Sequence, residues 1–300
     1  MSTPPFLHLP KGVRPGRVPA VRGDLAALLA EPADGGDGAP VLLVPGFTGS
    51  KEDFIAVVGP IAAAGHPVVA IDQRGQFESP GDADPASYDV KSLAQDLLAV
   101  VRHLGERVHL VGHSFGGLVA RAAALAEPAL LRSLTILSSG PAAIPHPAAS
   151  NLELIARALP VMDLEAIWAA KRQLEAQTEA EPPEPEIEDF LRRRFLANHP
   201  TALLRFAEQL LTEDDLVEEL ATLELPVLVA FGPHDDAWPP ALQHEMAQRL
   251  GARVAVIEGA GHSPAAEHPE TTVAAFVEFW AAAQSASAGS PSAAHGSAGG

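Results

Sequence analysis

Six short apolar runs are spaced along the chain, and segments with helical periodicity separate most of them. The runs span residues 41–44, 68–71, 108–111, 134–137, 227–231 and 254–257. The helical segments span residues 55–64, 88–104, 118–126, 241–250 and 271–283. Short apolar runs that alternate with helices are typical of parallel strands buried on both faces. The pattern therefore predicts an α/β fold with a doubly wound, mostly parallel sheet.

Two local sequence patterns add detail to these predicted elements. Residues 22–31 are rich in Ala and Leu but end at Pro32 and a turn of Gly and Asp, so we interpret them as a strand of an early hairpin. Ser50 and Asp53 stand three residues apart before the helix over 55–64, which predicts a capping box at its start.

The alternation of runs and helices stops between residues 142 and 212. The helix-like segments of this stretch are 151–159, 164–178, 187–197 and 202–211, with an acidic, proline-rich link at 181–185. We interpret the stretch as a helical cap inserted over the strand ends. The predicted organisation is an irregular N-terminal arm at 1–21, a core at 22–141 and 213–284, the cap at 142–212 and a disordered tail at 285–300.

The loops that follow the apolar runs are where we expect the chemistry, because ligands of open parallel sheets bind beyond the carboxyl ends of the strands. One such loop is Gly112-His113-Ser114-Phe115-Gly116, between the run 108–111 and a helix. A serine between two glycines at this junction is the pattern of a nucleophile elbow, since side chains at the glycine positions would collide with the strand and helix. Alone, the pentapeptide also fits a glycine-rich turn with a solvated serine.

Two other loops supply the groups that a serine nucleophile needs. A serine hydroxyl is a poor nucleophile near pH 7, so it needs a base, and the base needs an orienting carboxylate. Asp235 follows the run 227–231, and His262 follows the run 254–257. All three groups would therefore meet at one edge of the predicted sheet.

With these three motifs in the order Ser, Asp, His, residues 22–283 resemble a serine-dependent α/β-hydrolase with a helical cap, of the esterase and lipase kind. The resemblance implies that Ser114 attacks an acyl carbonyl, that His262 takes the serine proton, and that Asp235 holds the imidazole. It also implies an oxyanion hole formed by the backbone N–H groups of Phe47 and Phe115.

Two stretches depart from the family pattern. The usual His-Gly of the oxyanion loop is Pro45-Gly46 here, and we expect the hole to survive because the donating N–H belongs to the next residue. The frequent stretch D-x-R-G-x-G-x-S appears at residues 72–79 with Phe77 in place of a glycine. Phe77 either shapes the site or packs under the cap, and we favour packing.

Some neighbours of the predicted triad have competing interpretations. Asp236 adjoins Asp235 and is an alternative acid, although the spacing Gly-x-x-Asp-x-x-x-Pro favours Asp235. His113 and His234 are more typical of packing or hydrogen-bonding residues than of second bases. The spacing of His, Asp and Glu predicts no metal site, and we expect no cofactor.

Large apolar side chains in the predicted cap indicate the kind of substrate. Met162, Trp168 and Phe206 are our candidates for lining an apolar acyl pocket, which suits small or medium uncharged esters. The sequence thus predicts a carboxylic ester hydrolase that forms an acyl-enzyme. Alternatives are acyl transfer to peroxide, an alcohol or an amine, amide hydrolysis, and a ligand-binding receptor on a hydrolase scaffold, against which the complete triad argues.

The composition limits the kinds of partner and site that the protein can have. A formal charge of −18 over 300 residues disfavours nucleic acid. The lack of cysteine excludes disulfides, thiolate metal sites and a cysteine nucleophile. Since no long apolar run and no secretion-like N-terminus is present, we expect no membrane span and a cytoplasmic location. The oligomeric state stays open.

Overall fold

A mixed sheet runs through the centre of the protein in the computed structural model, which describes residues 2–175 and 183–288. Its strands are β1 (Val13–Val18), β2 (Leu25–Ala30), β3 (Val41–Val44), β4 (Val68–Ile71), β5 (Val108–His113), β6 (Leu131–Leu137), β7 (Val227–Phe231) and β8 (Arg253–Val256). Their order across the sheet is β1-β2-β4-β3-β5-β6-β7-β8. The pairs β1-β2 and β2-β4 are antiparallel, and every other pair is parallel.

Helices cover both faces of this sheet. The helices in the described ranges are α1 (Ile55–Ala63), α2 (Val90–Leu104), α3 (Phe115–Ala126), α4 (Ala149–Ala158), α5 (Leu164–Glu175), α6 (Pro185–Leu196), α7 (Pro200–Thr212), α8 (Val217–Ala221), α9 (Pro240–Leu250), α10 (Pro264–Glu267) and α11 (Pro269–Ala288). On one face α2, α3 and α9 bury Leu97, Leu118 and Met246, and on the other α1 and α11 bury Ile55 and Trp280. Every residue of β3, β4 and β5 is buried, as expected of strands covered on both sides. The predicted doubly wound, mostly parallel α/β fold is confirmed.

The N-terminal stretch differs from the prediction. Residues 1–21 were expected to be irregular, but β1 pairs in register with β2, from Val13 opposite Ala30 to Val18 opposite Leu25. Proline is tolerated in β1 because the strand lies at the edge of the sheet, where one side of the backbone makes no ladder hydrogen bonds. The early hairpin strand predicted over 22–31 is confirmed as β2.

The start of the first helix also differs, since no capping box forms. The chain makes a 3-10 turn at Lys51–Phe54 before α1, and Ser50 Oγ donates to Glu52 Oε2 at 2.6 Å. The N–H of Lys51 donates instead to Asp72 Oδ1 at 2.7 Å. A buried carboxylate from the end of β4 thus does what a local cap would do, which the local pattern could not predict.

The four helices predicted between residues 142 and 212 are present as α4 to α7. Their boundaries lie within a few residues of the prediction, and the part of the segment 164–178 beyond Glu175 is outside the described residues. Apolar side chains of α5 and α6 form a cluster of their own, including Trp168, Phe190 and Phe195. The described residues of 142–212, here called the helical segment, therefore have a packed interior.

The C-terminal helix extends further than predicted. α11 continues to Ala288, although disorder was expected from residue 285, because Ala-rich sequence propagates a helix that has already started. Residues 289–300 of the predicted tail lie outside the described residues. No described helix combines the length and apolar character needed to cross a bilayer.

Candidate active site

Ser114 occupies a sharp turn between the end of β5 and the start of α3. Its backbone has φ 54° and ψ −122°, a conformation that a non-glycine residue rarely adopts. A Cβ on Gly112 would lie 2.3 Å from the carbonyl oxygen of Gly116, and a Cβ on Gly116 would lie 2.5 Å from that of Pro45. Backbone crowding therefore requires glycine at both positions.

His262 lies between Ser114 and Asp235. Its Nε2 is 3.0 Å from Ser114 Oγ, and its Nδ1 is 2.8 Å from Asp235 Oδ1. The three residues come from the loops after β5, β7 and β8, which meet because parallel strands end at the same edge. If Nδ1–H donates to Asp235, Nε2 is left free to accept the serine proton.

Asp235 is held by several donors. Its Oδ1 accepts the N–H of Ala237 at 2.9 Å, and its Oδ2 accepts Nε2 of the buried Gln243 at 2.8 Å. Burial alone would raise the pKa of Asp235, but the contact with His262 and these donors together lower it below its ordinary value. Asp235 is therefore ionised at neutral pH.

The neighbouring titratable residues do not take part in the contacts that join Asp235, His262 and Ser114. His113 Nε2 donates to the backbone carbonyl of His262 at 2.8 Å, and burial, with the nearby His262 charge, lowers the pKa of His113 to about 3. His113 is thus a neutral positioning group. Asp236 and His234 are exposed. Ligand-type atoms of Asp235, Asp236 and His262 lie within 4.8 Å of one another, but Oδ1 of Asp235 and Nδ1 of His262 already bond each other.

Two backbone segments, at Phe115 and at Gly46, lie beside the serine. Phe115 is the first residue of α3, where an N–H has no intrahelical acceptor and the helix dipole favours negative charge. Phe47 lines the same cavity as Ser114, and a Cβ on the preceding Gly46 would lie only 3.0 Å from Ser114 Cβ. Of the two residues predicted for the oxyanion hole, Phe115 directly follows the nucleophile and Phe47 follows the glycine that packs against it.

Two buried glutamines fix the loop that carries Phe47. Gln73 Nε2 donates to the carbonyl of Pro45 at 2.9 Å, and Gln76 Nε2 donates to those of Gly46 at 2.7 Å and Phe47 at 3.1 Å. The carbonyl of Gly46 and the N–H of Phe47 belong to one planar trans peptide and point in opposite directions. By holding that carbonyl, Gln76 turns the Phe47 N–H away from itself.

Phe77 packs against the helical segment. Its ring makes an edge contact with Phe190 of α6, with centroids 5.7 Å apart, and the ammonium of Lys51 lies 4.7 Å from its centre. The backbone of Phe77 has φ 37°, in the region that favours the glycine usual at this position. The loop thus keeps a glycine-like conformation while the ring packs.

The cavity beside Ser114 has a volume of about 140 Å³. Its apolar lining comes from Phe47, Ile144, Leu152 and Leu210, and its polar lining includes Ser2, Asp53, His113 and His262. Of these residues, Leu152 belongs to α4 and Leu210 to α7. The sequence predicted neither of them as a pocket residue.

The three predicted pocket residues lie away from this lining. Met162 is 41% exposed at the surface. Trp168 packs on Phe195 within the helical segment, and Phe206 is buried against Phe115 and Tyr88. None of the three lines the cavity, because Met162 lies at the surface and Trp168 and Phe206 pack against other aromatic side chains.

A model of the alpha/beta hydrolase family matches residues 41–276. The chain belongs to this family. Over 251 residues it is 29% identical to the pimeloyl-[acyl-carrier protein] methyl ester esterase of Aeromonas hydrophila, covering 81% of this chain and 96% of that one. A shorter match to RutD of Variovorax paradoxus, 40% identical over 104 residues, covers 34% of this chain and 39% of that protein. A thermophilic esterase from Thermogutta terrifontis superposes with a TM-score of 0.70 at 25% identity, covering 90% and 99% of the two chains.

The sequence did not reveal several side chains that hold the site of this alpha/beta hydrolase in place. Gln73 and Gln76 directly follow β4, so attention to strand ends could have found them. Gln243 on α9, which bonds Asp235, and Arg194 on α6, whose Nη1 lies 2.6 Å from Oδ1 of Asp53 at the cavity, have no local signal, because only the tertiary structure brings them to their partners. Asp53 gave a local signal that pointed to a helix cap instead.

Proposed function

We propose that this alpha/beta hydrolase cleaves carboxylic esters through an acyl-enzyme on Ser114. His262 Nε2 removes the proton as Ser114 Oγ attacks the carbonyl carbon, and the N–H groups of Phe47 and Phe115 bind the oxyanion. His262 then returns the proton to the departing alcohol. Water attacks the acyl-enzyme with the same residue as base, which releases the acid and regenerates the serine.

The observation that carries this proposal is the continuous chain of contacts from Asp235 through His262 to Ser114. The separations of 2.8 Å and 3.0 Å are those of hydrogen bonds. A receptor that only binds a ligand has no need of a strained serine or of a carboxylate aligned on its base. The geometry therefore favours catalysis over the receptor alternative.

We further propose that the helical segment acts as a cap that limits the acyl group. Leu152 of α4 and Leu210 of α7 line the cavity together with Ile144. A cavity of 140 Å³ resembles in size one that holds benzene, so an acyl group of up to about six non-hydrogen atoms would fit. Small esters should therefore be preferred over long-chain ones.

Hydrolysis of p-nitrophenyl butyrate tests the proposal. Ser114→Ala should lower kcat/KM by at least about 10³-fold, because no other group replaces the nucleophile. Ser133→Ala is the matched control, since Ser133 is a buried serine whose hydroxyl contacts His109 rather than the site. Equal rates for the wild type and Ser114→Ala would refute the proposal. Products formed in the presence of methanol or peroxide would separate hydrolysis from acyl transfer.

A further inference from the structure

The first described residues of the chain form part of the wall of the cavity beside Ser114. Residues 2–8, here called the N-terminal strap, precede β1 and contain no helix or strand. Ser2 lines the cavity and is 7% exposed, and Pro4 is also buried. The first residues of a domain are poorly ordered unless the fold ties them down, so the contacts of the strap decide what it can do.

Contacts with both the helical segment and the core hold the strap in place. The backbone carbonyl of Ser2 accepts a hydrogen bond from Nη2 of Arg194 on α6 at 2.6 Å, and Nη1 of the same guanidinium lies 2.6 Å from Oδ1 of Asp53. Leu7 packs against the apolar cluster of α5 and α6, and Phe6 packs against the cluster that α1 and α11 form with the sheet. The strap thus joins the helical segment to the core at the edge of the cavity.

The strap also stands between the cavity and a second, narrower void. The two spaces share three lining residues, which are Ser2, Asp53 and His113. The second void is also lined by Phe54 and by two alanines of α10, and it is too narrow for a water molecule. Asp53 and His113 belong to the core, so the strap is the part of this partition that can be removed while the core stays intact.

The strap blocks space in a different way from the other lining residues. Leu152 narrows the cavity with a side chain that can change its rotamer. Ser2 is held through its own backbone carbonyl, so rotation of its side chain leaves the wall in place. An acyl group that extends past Ser2 would therefore have to break the contacts of the strap with the helical segment and the core.

We propose that the N-terminal strap sets the maximum length of the acyl group, with Ser2 as the residue that the end of the acyl chain meets. This inference rests on the ester hydrolysis proposed above, and it gives a specificity-determining role to a segment that the sequence predicted only as an irregular arm. Without the strap, the charged pair of Asp53 and Arg194 would border the opened end together with Phe54. Longer chains would thus gain room rather than a new apolar surface.

Deletion of residues 2–5 tests the proposal. The deletion removes the part of the strap that borders the cavity and keeps its apolar anchors Phe6 and Leu7. The ratio of kcat/KM for p-nitrophenyl octanoate to that for p-nitrophenyl butyrate should rise by about 10-fold or more, because the longer chain no longer meets the strap. A ratio of two substrates on one protein is unaffected by the fraction of molecules that is active.

Two variants serve as controls. Thr3→Ala changes an exposed side chain of the strap and should keep the wild-type ratio. Val18→Ala removes a buried side chain of β1 that lines neither space, so it should lower stability without changing the ratio. An equal rise of the ratio in Val18→Ala would show that any loosening of the fold admits longer chains, and would overturn the inference.

A second variant covers the case in which the deletion does not fold. Phe6→Ala/Leu7→Ala keeps the full chain and weakens both apolar anchors of the strap, so the octanoate-to-butyrate ratio should rise by about 3-fold. A wild-type ratio in this variant, with the deletion variant unfolded, would overturn the inference.

The outcomes separate this inference from the proposed function. An unchanged ratio in a deletion variant that still hydrolyses butyrate would overturn the inference while leaving the esterase intact. If the wild type hydrolyses no ester, binding of octanamide and butyramide to Ser114→Ala, with and without residues 2–5, decides. A gain in affinity for octanamide alone on deletion would support the wall without the esterase, whereas an equal change for both amides would overturn it.

Discussion

The loops at the strand ends and the helical segment 142–212 face the same cavity but were predictable to very different degrees. In the loops, the structure brings Ser114, Asp235 and His262 within 3.0 Å contacts, as the strand-end rule led us to expect. In the helical segment, the helices were predicted correctly, but Leu152 and Leu210 line the cavity instead of the expected side chains. Backbone topology sets the first arrangement, and side-chain packing sets the second.

The comparison shows which kind of information a single sequence carries. The end of a parallel strand has a fixed place in the sheet, so a residue there can be located from chain order alone. An apolar residue on a helix can face the cavity, the sheet or another helix, and its sequence pattern is the same in each case. Substitutions in the strand-end loops and in the helical segment should therefore have different effects on the protein.

The largest effect is expected at the elbow itself. Gly112→Ala should destabilise the fold by about 3 kcal/mol or more and abolish esterase activity, because the new Cβ meets backbone that cannot move aside. Urea unfolding measures the first effect. Gly59→Ala is the control, since a Cβ there lies 3.7 Å from its nearest neighbour, and it should be neutral or stabilising. Wild-type stability in Gly112→Ala would show that the turn is not crowded.

A smaller loss of activity is expected when the loop that carries Phe47 loses its hydrogen bonds from Gln76. Gln76→Leu removes the side-chain donor to the carbonyls of Gly46 and Phe47 and leaves only the longer bond from the N–H of Gly49 to Gly46, so the proposed oxyanion donor Phe47 N–H is held less firmly. We expect kcat for p-nitrophenyl butyrate to fall by about 10²-fold with little change in KM. A change confined to KM would mean that Gln76 shapes substrate binding and does not position the oxyanion donor.

In the helical segment we expect a substitution to change the length of acyl chain that the protein prefers. Leu152→Ala should enlarge the cavity and raise the hexanoate-to-butyrate ratio of kcat/KM by about 10-fold. Trp168→Ala should leave that ratio unchanged but lower the free energy of unfolding by about 3–5 kcal/mol, because the indole packs within the segment. A changed ratio in Trp168→Ala with an unchanged ratio in Leu152→Ala would show that Trp168 lines the pocket, as the sequence suggested.

The smallest effect is expected at His109 of β5, where a substitution should change stability and not catalysis. Burial, with the charges of His66 and Arg132, lowers the pKa of His109 from 6.5 to about 3. Between these values the unfolded chain binds a proton that the folded protein does not, so stability is lost as pH falls below 6.5.

His109→Gln should therefore make the loss of stability on acidification shallower by about 1.4 kcal/mol per pH unit. Urea unfolding at a series of pH values checks this. Ser133→Ala, which removes the hydroxyl partner but keeps the imidazole, should retain most of the wild-type slope. Identical slopes in the wild type and His109→Gln would show that His109 is not held neutral.

Much of the fold and the positions of the candidate triad follow from local patterns, and the support around them does not. Strands of four or five apolar residues, the glycines of the elbow and the order of Ser114, Asp235 and His262 can all be identified in the chain. The partners Gln243, Gln76 and Arg194 are ordinary polar residues of helices and loops, far in sequence from the groups they hold. Their contacts depend on how elements pack, which no local pattern specifies.

The central claim is that Ser114 is made reactive by His262, and covalent labelling tests it most directly. A fluorophosphonate should modify the folded wild type at Ser114 alone, as located by peptide mass spectrometry. His262→Ala should be labelled at least about 10³-fold more slowly. Labelling of another serine, or an equal rate in His262→Ala, would contradict the account.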